Sequence, residues 1–191
     1  MGGKTIYIIA GCNGAGKTTA SYTILPEILD CREFVNADEI AKGLSPFQPD
    51  KVGFEAGRIM LERINSLLAS NSSFAFETTL ATRSYKGLIQ RAKASGYSVK
   101  LLFFWLPSVV MALKRVQVRV REGGHSIPQD VIRRRYIRGI KNLFEIYLPL
   151  CDEWAVFDNS ERPALIAEGN PEGTSVSDFH KWTAFKNNLL T

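Results

Sequence analysis

Residues 11–18 read GCNGAGKT and fit the pattern G-x-x-x-x-G-K-[S/T]. Glycines in such a stretch let successive backbone N–H groups turn inward on one concave surface, which suits a polyphosphate. We expect Lys17 to reach the β- and γ-phosphates and Thr18 to give its hydroxyl to Mg²⁺, with the start of the next helix adding partial positive charge. The candidate phosphate-binding residues are Gly11, Asn13, Gly14, Ala15, Gly16, Lys17, Thr18 and Thr19, of which Thr19 mainly continues the helix.

The segments around this loop favour the same interpretation. Residues 5–10 form a β-branched, apolar run typical of a strand buried on both faces, and residues 18–29 can form a helix whose weak point is Pro26. An ordinary glycine turn is the alternative, but it does not require a strand before it and a helix after it. The sequence therefore predicts a strand, a phosphate-binding loop and a helix in that order.

Composition favours one globular unit without a membrane segment. The chain has 191 residues, 45% hydrophobic and 23% charged, which suits a single α/β domain. The longest apolar run, residues 99–110, is interrupted by Lys100 and Pro107 and is too short to cross a bilayer, and residues 1–4 leave no room for a signal peptide. We expect a cytoplasmic protein. The three cysteines lack metal or redox spacing and are expected to be free thiols: Cys12, Cys31 and Cys151.

The formal charge of +5 is concentrated between residues 111 and 141. That stretch holds nine basic residues against Glu122 and Asp130: Lys114, Arg115, Arg119, Arg121, Arg133, Arg134, Arg135, Arg138 and Lys141. Such a cluster could bind nucleic acid, but no helix-turn-helix, RNA-recognition motif or interleaved aromatic pattern accompanies it. Arginines that close over a nucleotide explain the cluster better, so we expect no nucleic-acid partner.

Two further strands are predicted to end in polar side chains. One predicted strand, residues 32–36, ends in Asn36 and is followed by Asp38. The other starts at residues 74–76 and runs into Glu77 and Thr79. Ligands bind at the carboxyl edge of an open α/β sheet, so these side chains are candidates for a site. Asp38 follows Lys17 by 21 residues, a spacing that returns the chain beside the phosphate loop. From spacing alone, a catalytic Asp38 and a simple cap of the next helix by Asn36 or Asp38 are equally favoured.

The rest of the chain predicts a mostly parallel sheet of five to six strands with helices on both faces and a helical arginine lid. Strands are predicted at residues 97–106, 154–158 and 164–167, and helices at 51–68, 81–94 and 108–122. Gly123 and Gly124 then separate Arg115 and Arg119 from a second basic helix that starts at Pro128, so the lid covers about 115–138. We assign residues 1–169 to a kinase-like domain. Residues 170–191 are assigned to a tail with a short amphipathic helix whose Trp182, Phe185 and Leu189 could pack on the domain.

With these motifs assembled, the chain resembles the zeta-toxin family of phosphate-loop kinases, particularly a short branch also labelled predicted ABC-type ATPases. The resemblance covers about residues 4–169 and rests on several motifs: GCNGAGKTT, FVNADEIAKGLSP, FEAGRIMLERI, FETTLATRSY, FFWLPS, GGHSIP followed by VIRRRY, and VFDNS. It implies a phosphate-loop kinase fold, ATP and Mg²⁺ as cofactors, and a small hydroxyl-bearing acceptor. It also implies phosphorylation of a 3′-hydroxyl of UDP-N-acetylglucosamine, or of a related sugar nucleotide, and a possible antitoxin partner.

The resemblance assigns roles residue by residue. The family's phosphate-loop lysine matches Lys17, its catalytic aspartate matches Asp38, and its two lid arginines match Arg119 and Arg134. This favours the catalytic interpretation of Asp38, which would accept the proton of the acceptor hydroxyl during in-line transfer. Apart from the resemblance, the position of Arg115 one turn before Arg119 makes it a candidate for nucleotide binding that could stack on the adenine.

On the acceptor side, the family's acid and hydroxyl that hold the sugar and its phosphates match Glu77 and Thr79, with Glu55 as a further substrate-side acid. The loop at residues 44–50 is short for enclosing a large sugar nucleotide. Three alternatives remain at this stage. One is an ATPase switch, although the sequence has neither an LSGGQ-like signature nor an apolar run ending in Asp-Glu; another is a kinase for a nucleotide or an RNA end; the third is a basic nucleic-acid-binding module.

Overall fold

The computed structural model describes residues 3–124 and 126–188, and a seven-stranded sheet lies at its centre. The strand order is β2-β3-β1-β4-β5-β6-β7. The first five of these strands run parallel, β6 pairs antiparallel with β5, and β7 pairs antiparallel with β6. This confirms the predicted mostly parallel α/β fold. The strands are β1 (Thr5–Gly11), β2 (Phe34–Val35), β3 (Phe74–Thr78), β4 (Ser98–Trp105), β5 (Glu153–Asp158), β6 (Ala164–Asn170) and β7 (Gly173–Val176).

Within residues 3–124 and 126–188, seven α-helices alternate with or follow these strands. They are α1 (Lys17–Glu27), α2 (Ala37–Leu44), α3 (Gly53–Ala69), α4 (Tyr85–Ala94), α5 (Val109–Arg121), α6 (Gln129–Asn142) and α7 (Phe179–Asn187). A 3₁₀ turn (Pro49–Val52) precedes α3, and α6 continues through a π-helical turn (Leu143–Tyr147) into a 3₁₀ turn (Leu148–Leu150). No helix in the described part of the chain is long and apolar enough to cross a membrane.

The central strand β1 is buried on both faces, as its composition predicts. Ile8 and Ile9 point to opposite faces of the sheet, yet both are at most 1% exposed. β1 lies between β3 and β4, with Ile9 opposite Glu77 and Gly11 opposite Phe104. Because these strands are parallel, their carboxyl ends meet at one edge, which places the phosphate loop beside the residues that follow β2, β3 and β5.

The C-terminal segment is integrated into the fold. Strand β6 continues to Asn170, and β7 pairs with it in a stretch that the sequence analysis treated as a polar tail. Helix α7 packs on the domain as its sequence predicts: Trp182 stacks on Trp154 with ring centroids 5.9 Å apart, and the ring of the fully buried Phe185 lies 5.3 Å from that of Trp105. The expected contact of Leu189 lies outside the described residues. The sheet therefore has one strand more than predicted.

Candidate active site

The phosphate loop has the backbone that its glycines make possible. Gly14 and Gly16 have φ angles of 79° and 77°, a region that side chains with a Cβ atom rarely adopt. A Cβ atom at Gly14 would lie 2.9 Å from the carbonyl oxygen of Ala112, and one at Gly16 would lie 2.6 Å from the side-chain nitrogen of Asn159. Both positions therefore require glycine for conformation and for space. Gly16 immediately precedes α1, whose first residue is Lys17.

Lys17 and Thr18 both contact Glu77. The Lys17 ammonium, on a side chain only 6% exposed, donates to the carbonyl of Cys12 at 3.1 Å and lies 3.4 Å from Glu77 Oε1. Thr18 Oγ1 donates to Glu77 Oε2 at 2.8 Å, and Asn36 Nδ2 donates to the same oxygen at 2.9 Å. The carboxylate that the sequence analysis placed on the acceptor side thus lies directly beside the hydroxyl expected to bind the metal.

Asn36, rather than Asp38, provides the side-chain cap of α2. Asn36 Oδ1 accepts the backbone N–H of Asp38 at 2.8 Å. The Asp38 carboxylate makes no hydrogen bond or ion pair with any of the described residues, and it lines two cavities beside the loop. Asn36 therefore fills the capping role that was considered for Asp38, and the Asp38 carboxylate is left available for a ligand.

Two cavities meet at the phosphate loop. The larger, of about 560 Å³, is lined by residues that include Gly14, Thr18, Thr19, Arg115 and Arg119, and we call it the nucleotide-side cavity. The smaller, of about 350 Å³, contains Thr79, Thr82, Tyr85 and the arginines of α6, and we call it the acceptor-side cavity. Four residues line both cavities: Asn13, Lys17, Asp38 and Glu77. Groups bound in the two cavities would therefore face each other across these four side chains.

The two arginines of α5 differ in what they bind. Arg115 donates to the backbone carbonyls of Asn159 at 2.8 Å and Ser160 at 2.6 Å, so its guanidinium is held by the segment after β5. Arg119 has Nε and Nη2 buried without a hydrogen-bond partner among the described residues. Buried donors in this state carry a desolvation cost that an anionic ligand would offset.

Three arginines of α6 line the acceptor-side cavity: Arg134, Arg135 and Arg138. Arg133 does not line it. Arg135 Nη1 lies 3.4 Å from Asn13 Oδ1 in the phosphate loop, a long contact that nonetheless makes Arg135 the α6 arginine in direct reach of that loop. Arg134 was assigned as a lid arginine from the family resemblance, since helical phase alone does not show which of three consecutive arginines points inward.

Two predicted residues have different surroundings. Thr79 lies in the acceptor-side cavity, whereas Glu55 is exposed in the first turn of α3 and lines neither cavity. Asn159 was not selected from the sequence, although the motif VFDNS contains it. Its side chain is nearly buried and donates from Nδ2 to the carbonyl of Ala15 at 2.6 Å. A polar pair directly after a buried strand at the carboxyl edge was the signal that could have identified it.

Cys12 is a structural residue of the loop. It is 6% exposed, and burial raises the pKa of its thiol to about 11, against a smaller lowering by the charges of Lys17 and Arg115. The thiol is therefore protonated at neutral pH and is a poor nucleophile. Among the described residues, no cluster of three or more histidine, cysteine, aspartate or glutamate side chains forms a ready-made metal site.

A phosphate-binding loop between a central strand and a helix, in a mostly parallel sheet with polar side chains at its carboxyl edge, defines the phosphate-loop kinase fold. A family model places the chain more specifically. The model described as Zeta toxin matches residues 2–169, and the protein belongs to the zeta toxin family. The family prediction made from the motifs is thus confirmed.

The chain is also similar to individual proteins. An uncharacterized protein of Haemophilus influenzae is 29% identical over 136 residues, which cover 71% of this chain and 94% of that protein. A chain from the AvrRxo1-ORF1:AvrRxo1-ORF2 complex with ATP superposes with a TM-score of 0.78 at 18% identity, covering 99% of this chain. This chain spans only 65% of the length of that one.

A chain of the PezAT chromosomal toxin-antitoxin system of Streptococcus pneumoniae superposes with a TM-score of 0.68 at 15% identity. The match covers all of this chain and 80% of the PezAT chain. At these identities the solved structures support the shared fold.

Proposed function

We propose that this protein is an ATP-dependent kinase that transfers the γ-phosphoryl group of ATP to a hydroxyl of a small molecule. The observation that carries this proposal is the junction of the two cavities. A nucleotide on one side and an acceptor on the other would meet at Lys17, Asp38 and Glu77, which supply a cation, a free carboxylate and a second carboxylate beside Thr18. An ATP hydrolase would need only the nucleotide-side cavity.

On the nucleotide side, the triphosphate would take over the partners of Lys17. The ammonium now contacts the Cys12 carbonyl and Glu77, so it would shift toward the β- and γ-phosphates when ATP enters. Arg119 would supply its two unpaired donors to the transferring group, where charge develops in the transition state. A similar fold solved with ATP, that of the AvrRxo1 complex, supports ATP as the donor.

The donor set beside the loop fits Mg²⁺. Mg²⁺ prefers oxygen ligands and typically uses one or two carboxylates together with phosphate oxygens and water. Thr18 Oγ1 and the Glu77 carboxylate are adjacent oxygen ligands of this kind, so we propose Glu77 for the metal side rather than the acceptor side. When bound, the ion would neutralise charge on the β- and γ-phosphates.

Asp38 is the proposed general base. It lines both cavities and has no competing partner among the described residues, so it could accept the proton of an incoming hydroxyl. Thr79 would contact the acceptor, because it lies in the acceptor-side cavity. We assign no role to Glu55.

UDP-N-acetylglucosamine, or a related sugar nucleotide, is our first candidate for the acceptor. Arg134 and Arg138 line the cavity without an ion-pair partner among the described residues, which favours an acceptor with anionic groups of its own. The same observation favours a second candidate, a nucleotide or an RNA end. A volume of about 350 Å³ would hold only part of a sugar nucleotide, so the remainder would extend out of this cavity.

An antitoxin is the proposed protein partner, because a similar solved chain comes from a toxin-antitoxin system.

The test of function is transfer of labelled phosphate from γ-labelled ATP, with Mg²⁺, to UDP-N-acetylglucosamine, to a nucleoside monophosphate and to an RNA with a free end. Lys17→Ala should abolish transfer and weaken ATP binding, because it removes the one ammonium that follows charge onto the γ-phosphate.

The matched control for this test is Lys86→Ala, which removes an exposed lysine of α4 that lines neither cavity. Near-normal transfer by Lys17→Ala would rule out the phosphate-loop assignment. ATP-independent binding of RNA that weakens steeply with salt, without any transfer, would instead support a basic nucleic-acid-binding module.

A further inference from the structure

The segment at the end of β5, residues 158–160, connects the phosphate loop to two helices. Asn159 Nδ2 donates to the carbonyl of Ala15 in the loop at 2.6 Å. The carbonyls of Asn159 and Ser160 accept hydrogen bonds from Arg115 Nη1 and Nη2, at 2.8 and 2.6 Å respectively. Any displacement of this segment would therefore disturb the loop and Arg115 together.

A buried carboxylate fixes the segment in place. The Asp158 side chain is 5% exposed; its Oδ2 lies 2.7 Å from Lys181 Nζ, and its Oδ1 accepts the N–H of Ser160 at 2.9 Å. Burial alone would raise the pKa of Asp158, but the hydrogen bonds from Lys181 and Ser160 outweigh that effect and lower it. The carboxylate is therefore ionised at neutral pH, and Lys181 is its ion-pair partner within 4.0 Å among the described residues.

Lys181 belongs to α7, which lies beyond the residues that the family model matches. Asp178 caps this helix by accepting the backbone N–H of Lys181 at 2.9 Å. One residue further on, Trp182 stacks on Trp154, and the buried Phe185 packs against Trp105. The helix is thus anchored to side chains of β4 and β5, and these contacts hold Lys181 beside Asp158.

We propose that Lys181 is a positioning residue for nucleotide binding, acting through Asp158 on the segment that holds Ala15 and Arg115. This inference rests on the proposed function in that it takes the phosphate loop to bind ATP. Without Lys181, the Asp158 carboxylate would be buried and uncompensated, and it would gain solvation by moving outward. That movement would pull Asn159 away from Ala15, so it would weaken nucleotide binding and leave the groups around Asp38 in place.

The experiment compares Lys181→Met with Lys186→Met, a change on the same helix at a lysine that contacts the Trp182 ring and not Asp158. ADP affinity is measured by calorimetry. KM for ATP and kcat are measured with the acceptor that receives labelled phosphate from the wild type in the transfer assay. Lys181→Met should raise the Kd for ADP and the KM for ATP by about tenfold, a modest effect for a buried pair because Lys181 is 42% exposed. Its kcat should stay within about twofold of wild type. Lys186→Met should match wild type, and Lys181→Arg should restore affinity.

A second variant separates positioning from a general loss of stability. The double variant Asp158→Asn with Lys181→Met has no buried charge to compensate, and its amide oxygen can still accept the Ser160 N–H, so it should recover most of the lost affinity. Unchanged ADP affinity in Lys181→Met would overturn the inference, and so would a lower Tm with no recovery in the double variant. Failure of the wild type to bind ADP would contradict the proposed function itself, whereas wild-type binding that Lys17→Ala abolishes would leave only the role of Lys181 in question.

Discussion

Asp38 combines a structured backbone with an unpaired side chain. Its N–H is held by Asn36 Oδ1, so an amide at position 38 should leave the start of α2 intact. We expect Asp38→Asn to keep ATP affinity nearly unchanged and to lower phosphoryl transfer by roughly 10²-fold, as loss of a general base would. Single-turnover transfer and ATP titration measure the two effects separately.

The control for Asp38 is Glu33→Gln, a change just before β2, where the partly exposed carboxylate pairs with Arg63 at 2.7 Å and lines neither cavity. Its transfer rate should stay near that of wild type. A collapse of nucleotide affinity in Asp38→Asn would instead assign Asp38 to metal binding or to the stability of α2.

Arg119 is distinguished from Arg115 by its unsatisfied donors. Because Nε and Nη2 are buried and have no partner in the described part of the chain, a group that becomes more negative during transfer should bind Arg119 more strongly than a ground-state phosphate does. Arg119→Ala should therefore lower kcat by roughly 10³-fold while ADP affinity hardly changes. Arg115→Ala should weaken ATP and ADP alike, because Arg115 organises the segment after β5.

Steady-state kinetics together with ADP titration test this contrast, and Arg121→Ala, an exposed change at the end of the same helix, is the control. An equal loss of ADP affinity in Arg119→Ala and Arg115→Ala would show that Arg119 acts in ground-state binding.

At the level of elements, α6 is anchored along its second half. Tyr136 donates to the carbonyl of Leu106 at 2.7 Å, and Asn142 donates to the carbonyl of Leu80 at 2.7 Å. Gly139 lies so close to the Thr79 carbonyl that a Cβ atom there would collide with it. A lid that swings as one body over residues 115–138 would break the Tyr136 contact and pull on the anchored end of α6, so we place its movement around Gly123 and Gly124 instead.

Hydrogen exchange can test where the lid moves. With a non-hydrolysable ATP analogue and Mg²⁺, protection should rise from Arg119 to the start of α6, because the triphosphate draws Arg119 inward. Residues 136–142 should already be protected without ligand, and ADP should have a smaller effect than the analogue. Equal protection of the linker region in all three states would indicate a rigid basic surface and would favour the nucleic-acid alternative.

Across the whole molecule, the sequence was most informative where a segment's own composition determines its structure. β1 is apolar throughout and buried on both faces, and the loop glycines identify their own conformation, so both were predicted. β7 was not, because each residue of Gly173–Val176 is exposed and the segment is a strand only through its pairing with β6. Proximity across strands was equally inaccessible: the register that sets Glu77 opposite Ile9 brings it beside Thr18, and no local pattern encodes that register.

The set of buried thiols and phenols predicts how stability depends on pH. Burial raises the pKa of Cys12 from 9.0 to about 11, that of Cys151 to about 12, and that of Tyr147 from 10.0 to about 12. Above pH 9 the unfolded chain releases these protons while the folded chain keeps them. The free energy of unfolding should therefore be insensitive to these groups below pH 9 and fall between pH 9 and 11, with each fully titrating group contributing up to about 1.4 kcal/mol per pH unit.

Urea unfolding at pH 8, 9, 10 and 10.5 tests this dependence, with Cys151→Ala as the comparison. The variant should be less stable at every pH because it leaves a cavity at a fully buried site, but its stability should fall less steeply above pH 9 because one titrating group is missing. Lys181, whose pKa is raised mainly by its hydrogen bond to Asp158, adds to the alkaline loss only above its ordinary value of 10.5, so the data up to pH 10 report mainly on the thiols. Identical slopes for wild type and Cys151→Ala would mean that Cys151 ionises in the folded protein at its ordinary pKa, which burial at the junction of α6 and β5 should prevent.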